Sequence, residues 1–503
     1  MPLLPDPAQP HPLFDTASTR QLEYAALQRH PTPSLMQRAG QASAQLARAI
    51  APHAQRAWVL CGPGNNGGDG LAAAAQLAAA GLAVHASWLG QPERASADTL
   101  AALHQARACD SICWDMQPPA LQTDDVVLDA LLGIGLSGER PCDDTIAQLL
   151  QALYRSPAHC LHIDVPSGLD ADSGNYLPGY APTQVRRHSS QHTLSLLTLH
   201  PGLYTTHGRD AAGCIWLDDL GLARMALPLP TPTAWLSGPA PTRLRAHASH
   251  KGSFGDVLVI GGQGLQAGAA MQGAAILAAI AALHHGAGRV FLHLLDGGHI
   301  MHLPQQPEIM LRGQVAALNQ LESSSVVCGC GGGSSIVALL PKVLEHSARL
   351  VLDADALNAI AADTMLRQRL QLRQRQGLPS VLTPHPLEAA RLLHCSTQEV
   401  QAHRLQAAQT LADTFQCTVL LKGSGSIIAS PGQTPHINPT GNARLACAGT
   451  GDVLAGMLAA CWQPDIDSHH AACHSAWWHG HLADRWPAQQ PLTAGALARQ
   501  EIH

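Results

Sequence analysis

Each half of this chain carries a glycine-rich loop that runs into an apolar stretch with helical spacing, and that pattern leaves few folds open. In the first half, Ala57-Trp58-Val59-Leu60-Cys61 reads as a short strand. Gly62-Pro63-Gly64-Asn65-Asn66-Gly67-Gly68-Asp69-Gly70 follows, and residues 71–80 read as a helix that Gly81 ends. In the second half, Ala448-Gly449-Thr450-Gly451-Asp452 opens a helix with Val453, Leu454, Met457, Leu458 and Cys461 on one side. Strand, glycine loop and helix in succession make up α/β layering. Backbone N–H groups at a helix start suit an anion such as phosphate, and each loop adds a carboxylate.

A length of 503 residues exceeds one comfortable core. An apolar share of 46% with 13% charged residues is that of a folded chain. The net charge of -6 gives no basic face for nucleic acid. The 13 cysteines show no C-x-x-C pair, and the N-terminus has no basic stretch before an apolar core, so a reducing, cytoplasmic location is expected. Residues 267–283 are apolar but alanine-rich and interrupted by glycine, which favours a buried helix over a membrane span. Five prolines between positions 228 and 241 mark a stiff linker. The expected division is 1–227, a linker at 228–243, and 244–503.

In the first half, Val126-Val127-Leu128 and His162-Ile163 read as strands ending at Asp129 and Asp164. Open α/β sheets place their sites at such strand ends. Asn66 offers a carbonyl oxygen as a hard-cation ligand, which Asp129 and Ser167 complete as an oxygen cage. Gly133-Ile134-Gly135-Leu136-Ser137-Gly138 forms a second loop, and Asp164 is the candidate for proton transfer. A turn glycine or a capping aspartate accounts for each feature alone; their order is what argues for a site.

In the second half, Asp452 is placed to accept a hydroxyl proton while the loop N–H groups face a transferring phosphoryl group. Lys422-Gly423-Ser424-Gly425-Ser426 follows a strand and suits a nucleotide phosphate or adenosine. No G-x-x-x-x-G-K-[ST] motif occurs, which excludes a P-loop NTPase. Thr383-Pro384-His385-Pro386 with Glu388, and Asp353 with Asp355, are further candidates; alone, His385 reads as a turn histidine and the two aspartates as a solvated strand end.

The first half, from Leu35-Met36-Gln37-Arg38-Ala39-Gly40 to Gly208-Arg209-Asp210, resembles the NAD(P)H-hydrate epimerase family. The resemblance implies a Rossmann-like three-layer domain that interconverts R- and S-epimers of NADHX and NADPHX, the hydrated nicotinamide cofactors. It implies that Asn65, Asn66, Gly67, Gly68, Asp69, Gly133, Ile134, Gly135, Leu136, Ser137, Gly138 and Glu139 hold the dinucleotide. Asn66, Asp129 and Ser167 would bind potassium, and Asp164 would act at the hydrated ring. Ile134 stands where the family has threonine, Gln191 where it has aspartate, and His200 where it has lysine. If that lysine balances phosphate charge, His200 would do so only when protonated.

With His250-Lys251-Gly252 and Asn438-Pro439-Thr440-Gly441-Asn442, the second half (247–496) resembles the NAD(P)H-hydrate dehydratases of the ribokinase-like superfamily. That implies phosphorylation of the ring hydroxyl of the S-epimer by ADP or ATP, with magnesium, and loss of phosphate to restore NAD(P)H. Ala269, Gly331 and His385 would contact the hydrated dinucleotide; Lys422, Gly423, Ser424, Gly425, Ser426 and Gly451 the adenine nucleotide; Asp452 would be the base. The family's G-P-G-L-G reads here Gly329-Cys330-Gly331-Gly332-Gly333, a more flexible loop on sequence grounds. The rival expectation is a ribokinase-like small-molecule kinase with a non-catalytic N-terminal binding module. The partners implied are small molecules, with no nucleic acid or membrane, in a homo-oligomer, a tetramer among the forms allowed.

Overall fold

The computed structural model describes residues 2–136, 141–183, 190–241, 246–265, 268–295 and 297–501. They divide into two compact units, one of residues 1–6 and 11–234, the other of 7–10 and 235–503.

In the first unit seven strands build its sheet: β1 (Arg56–Cys61), β2 (Ala83–Trp88), β3 (Ile112–Trp114), β4 (Val126–Ala130), β5 (His159–Ile163), β6 (Gln191–Leu196) and β7 (Cys214–Asp218). They form one seven-stranded sheet in the order β3-β2-β1-β4-β5-β6-β7, parallel throughout. The expected α/β class is thus observed. The longer helices among the described residues are α1 (Thr16–Leu27), α2 (Leu35–Ile50), α3 (Asn65–Ala79), α4 (Ala97–Arg107) and α5 (Asp144–Arg155). Side chains alternate across a strand. Val126 and Leu128 therefore pack with Leu71 and Leu77 of α3, while Val127 and Trp58 pack with Ile146, Leu149 and Leu153 of α5. The chain leaves β1 toward β2 and then returns to β4 on its other side, so the carboxyl ends of β1 and β4 flank a topological switch point.

One boundary departs from expectation. The α3 helix begins at Asn65 rather than at Leu71, so the segment from Asn65 to Gly70 forms its first turns instead of a loop. Gly81 takes the left-handed conformation expected after the helix, with φ of 93°.

The second unit contains β8 (Ala234–Leu236), β9 (Asp256–Gly261), β10 (Arg289–Leu294), β11 (Met310–Leu311), β12 (Ser325–Cys328), β13 (Arg349–Leu352), β14 (Ser380–Leu382), β15 (Thr418–Leu421), β16 (Ile427–Ala429) and β17 (His436–Ile437). Their order is β8-β17-β16-β15-β14-β13-β12-β9-β10-β11. The strands from β15 through β11 pair in parallel, and β16 and β17 add an antiparallel edge. The β8 strand lies inside the proline-rich stretch, where Trp235 pairs with His436.

Five helices of this unit matter for its site: α6 (Gln272–His284), α7 (Ala354–Ala362), α8 (Pro386–Leu393), α9 (Thr450–Cys461) and α10 (Ser468–Asp484). Of these, α6, α9 and α10 pack together over Val257, Val259, Val327 and Val351. The α6 helix is the buried element expected from its alanines, and no described helix is long and apolar enough to cross a membrane. The α9 helix is buried on all sides, not one: Ala455, Gly456, Ala459 and Ala460 are as enclosed as Leu458. Small residues permit this, since a side chain at Gly456 would run into the Ala278 carbonyl of α6. All 13 cysteines are free.

Candidate functional sites

In the first unit, the strand ends at the switch point open into a cavity of about 510 Å³. Pro63, Gly64, Asn65, Asn66 and Asp69 line one side, and Gly133, Ile134, Gly135, Leu136 and Asp164 another. The N-cap of α3 is Gly64, which has no side chain to cap the helix, so the first N–H groups of α3 remain available to a ligand. Gly67 and Gly68 are instead buried in the packing of α3 against Gly62 and Met36. Ser137, Gly138 and Glu139 lie outside the described residues.

Asp164 follows β5 with φ of 73°, a left-handed conformation that a non-glycine residue holds at a cost. Its Oδ2 accepts the Ile134 backbone N–H at 2.7 Å. The backbone supplies that bond, so isoleucine in place of threonine leaves it intact. Burial raises the Asp164 pKa, against the influence of His200. Burial and the Asp164 charge together push Asp69 well above the usual carboxylate range. Gly133 has Asp164 and Asn66 on its open side, so a side chain there would displace both.

Asn66 is the anomaly: its amide oxygen and nitrogen are both buried without a hydrogen-bond partner. Such groups are rare unless something binds them. Asp129 and Ser167 are brought together beneath the loop, with Ser167 Oγ donating to Asp129 Oδ1 at 2.6 Å. The sequence reading missed their neighbour. His162 Nδ1 lies 2.8 Å from Asp129 Oδ2, and both side chains are fully buried. Burial opposes charge on both, but the pair outweighs it: His162 is raised, with the Cys160 sulfur contributing, and Asp129 is lowered.

His200 does not stand where a phosphate-balancing group would. It is fully buried, bonds to the Phe14 carbonyl at 3.0 Å, and is not among the cavity-lining residues. Burial lowers its pKa while the Asp164 charge works the other way. Gln191 is likewise internal, donating to the Asp210 carbonyl.

In the second unit the candidates gather at the carboxyl ends of β12 to β15. Asp353 follows β13 and is 2% exposed, so the alternative of a solvated strand end does not hold for it. Its Oδ1 accepts Lys422 Nζ at 2.7 Å and Thr383 Oγ1 at 2.8 Å. Burial works against the Lys422 ammonium, but Asp353 and Glu388 more than offset it and raise its pKa. A Cβ at Gly451 would come within 3.3 Å of Lys422 Nζ, so the ammonium stands at the first turn of α9. Asp452, also in that turn, is raised to about 6 by burial and the Asp353 charge. Cys330, Asp353 and Asp452 present ligand atoms within 4.8 Å of one another.

The glycine loop after β12 is better fixed than its composition suggests. Gly262 N–H and Gln263 N–H donate to the carbonyls of Cys330 and Gly331, and Gly333 N–H donates to Asp355 Oδ2 at 2.8 Å. Gln263 also holds the Ala269 carbonyl, which brings Ala269 and Gly331 together. His385 caps α8, its Nε2 3.3 Å from Glu388 Oε1; burial and Lys422 lower the His385 pKa, while burial raises Glu388 to about 7. The loop from Gly423 to Ser426 rests on Arg404, a buried residue the sequence reading passed over, which donates to the Lys422 and Gly425 carbonyls. The segment from Asn438 to Asn442 is anchored to α10 by bonds to the Ala476, Trp477 and Ala483 carbonyls.

Such an arrangement can bind an anion at the α9 start, neutralise it with Lys422 and take a proton at Asp452. Both halves are also similar to known proteins. The family model described as NAD(P)H-hydrate dehydratase matches residues 257–502, and that described as YjeF-related protein N-terminus matches 32–202. A bifunctional NAD(P)H-hydrate repair enzyme of Coxiella burnetii is 36% identical over 97% of both chains. Its Escherichia coli counterpart is 33% identical over 90% of this chain and 84% of its own. An ADP-dependent (S)-NAD(P)H-hydrate dehydratase of Neisseria meningitidis is 40% identical over 51% of this chain and 85% of its own. A solved ADP/ATP-dependent NAD(P)H-hydrate dehydratase of Bacillus subtilis, crystallised with ATP and Mg2+, is 27% identical over 51% of this chain and 91% of its own, with a TM-score of 0.41.

Proposed function

The chain belongs to the family of bifunctional NAD(P)H-hydrate repair enzymes, and from that premise we propose how its two sites divide the work. The protein converts R-NAD(P)HX to S-NAD(P)HX and dehydrates the S-epimer to NAD(P)H at the expense of ADP. We assign epimerisation to residues 1–227 and dehydration to 244–503, in the cytoplasm.

At the first site the cavity takes the dinucleotide, with its phosphates toward the uncapped start of α3. Asp164 is the proton-transfer group at the hydrated ring, and the raised pKa that burial gives it suits that work. Asn66, Asp129 and Ser167 would hold potassium; the unpartnered Asn66 amide supports its own place in that set. When bound, the ion supplies positive charge beside the loop.

At the second site Asp452 takes the proton from the ring hydroxyl as its oxygen attacks the terminal phosphoryl group of ADP. AMP leaves, and the ring ester then loses phosphate, a far better leaving group than hydroxide. Lys422 and the N–H groups of α9 stabilise charge on the transferring group. The carboxylates of Asp353 and Asp452 supply hard oxygen donors for the magnesium that accompanies the nucleotide.

The observation that carries the dehydratase assignment is Asp452 in the first turn of α9, the turn at which Lys422 Nζ also stands. Incubating S-NADHX with ADP and magnesium tests it. NADH, AMP and phosphate should appear in equal amounts; a stable phosphorylated product would return the kinase reading.

A further inference from the structure

Away from both sites, strand β17 and the first turns of α10 bring two imidazoles and a thiol together. His469 and Cys473 lie four residues apart on α10, and so on one face, while β17 supplies His436. Their nitrogen and sulfur ligand atoms all lie within 4.8 Å of one another. His469 Nε2 is 2.9 Å from His436 Nδ1. His469 and Cys473 are buried and His436 is partly exposed, so the cluster has a dry base and an open edge.

Its surroundings are those of a ligand set. Ser430 Oγ lies 2.8 Å from His469 Nδ1, fixing that ring so that Nε2 points at His436. A second hydroxyl or carbonyl on the far nitrogen is the usual way a metal-bound imidazole is oriented. The buried Ser237 hydroxyl adjoins the Cys473 thiol. The nearby carboxylate of Asp467 is engaged elsewhere, 2.6 Å from His470 Nδ1.

We propose that His436, His469 and Cys473 form a binding site for a borderline-soft divalent ion, with Zn(II) the fitting occupant. Two imidazole nitrogens and a thiolate are donors that zinc accepts, with a fourth position left for water. Binding releases the Cys473 proton to solvent, and His436 carries its remaining proton on Nε2. The ion clips β17 to α10. Further along α10, His479 Nε2 lies 2.9 Å from the Thr450 carbonyl at the start of α9, so the clip steadies the helix that backs the Asp452 loop.

The test uses full-length protein stripped with a chelator and titrated with Co(II). One equivalent should produce a thiolate-to-cobalt charge-transfer band, which Zn(II) then abolishes. Zn(II) should also raise the Tm of the stripped protein. Cys473→Ser should lose the band and the Tm response, and His436→Ala should weaken binding by about tenfold or more. Cys330→Ser should keep the band, which separates this cluster from Cys330, Asp353 and Asp452. A band that survives Cys473→Ser, or vanishes in Cys330→Ser, overturns the proposal. So does wild-type protein with no stoichiometric uptake, which would leave His436, His469 and Ser430 as a hydrogen-bond chain only.

Discussion

Lys422 Nζ and Asp353 Oδ1 lie 2.7 Å apart across the end of the strand between them. That strand leads into Thr383, which donates to the same oxygen, so one carboxylate ties three strand ends together. Removing one partner of a buried pair leaves the other uncompensated, at a cost of about 3 kcal/mol. Asp353→Asn should therefore lower stability by about that amount in denaturant melts. It should also let the Asp452 pKa fall, because the Asp353 charge helps to raise it. An unchanged acid limb in the mutant would contradict this coupling.

Asp452 works as a base only when ionised. Its pKa of about 6 predicts that kcat/KM for S-NADHX falls tenfold per pH unit below that value. Asp452→Asn should reduce dehydration by about 10²–10⁴-fold.

The same substitution should stabilise the protein. The folded pKa of Asp452 lies above its unfolded value, so the folded state binds more protons between pH 4 and 6, and stability declines across that window as pH rises. The uncharged amide of the Asp452→Asn variant escapes this loss. Its advantage should grow from about pH 4 to 6 and then level off, at about 2–3 kcal/mol at most. A Tm below wild type at pH 7.5 would argue that the carboxylate is structurally required.

His162 shares Asp129 with the proposed potassium site. His162→Ala strands a buried carboxylate and should cost about 3 kcal/mol in a buffer whose only cation is bulky. Potassium should recover part of that loss in the mutant, because the ion can then balance Asp129. Equal recovery with tetramethylammonium would count against a cation site there.

Asp164→Asn should abolish conversion of R-NADHX while leaving dehydration of purified S-NADHX unchanged. Separate assays of the two epimers on the full-length variant check this, and a parallel loss of both would place Asp164 in the fold rather than in the chemistry.

Much of the architecture is legible because it rests on local pattern. Val126 to Asp129 and the helix after Gly449 are readable from periodicity and glycine placement, and the resemblance names the chemistry. What escapes depends on contacts distant in sequence. The tie between Asp353 and Lys422 is one such contact, since nothing local reveals a partner 69 residues away. His162 sits mid-strand, and only sheet pairing sets it against Asp129. The α3 start is hidden because asparagine and glycine disfavour helix, yet Gly68 packs against Met36 of α2 and Gly70 against Ala130 of the sheet. The burial of His200 is likewise invisible in sequence, and it lowers the pKa of a ring that could balance charge only when protonated.

The most direct measurement supplies the full-length protein with a mixture of R- and S-NADHX, ADP, magnesium and potassium, and follows the reduced dihydropyridine absorbance. Two sites working in series predict recovery of both epimers, faster for the R-form than its uncatalysed interconversion and lost in Asp452→Asn. A rapid phase that stops when the S-epimer is consumed would contradict a working first site.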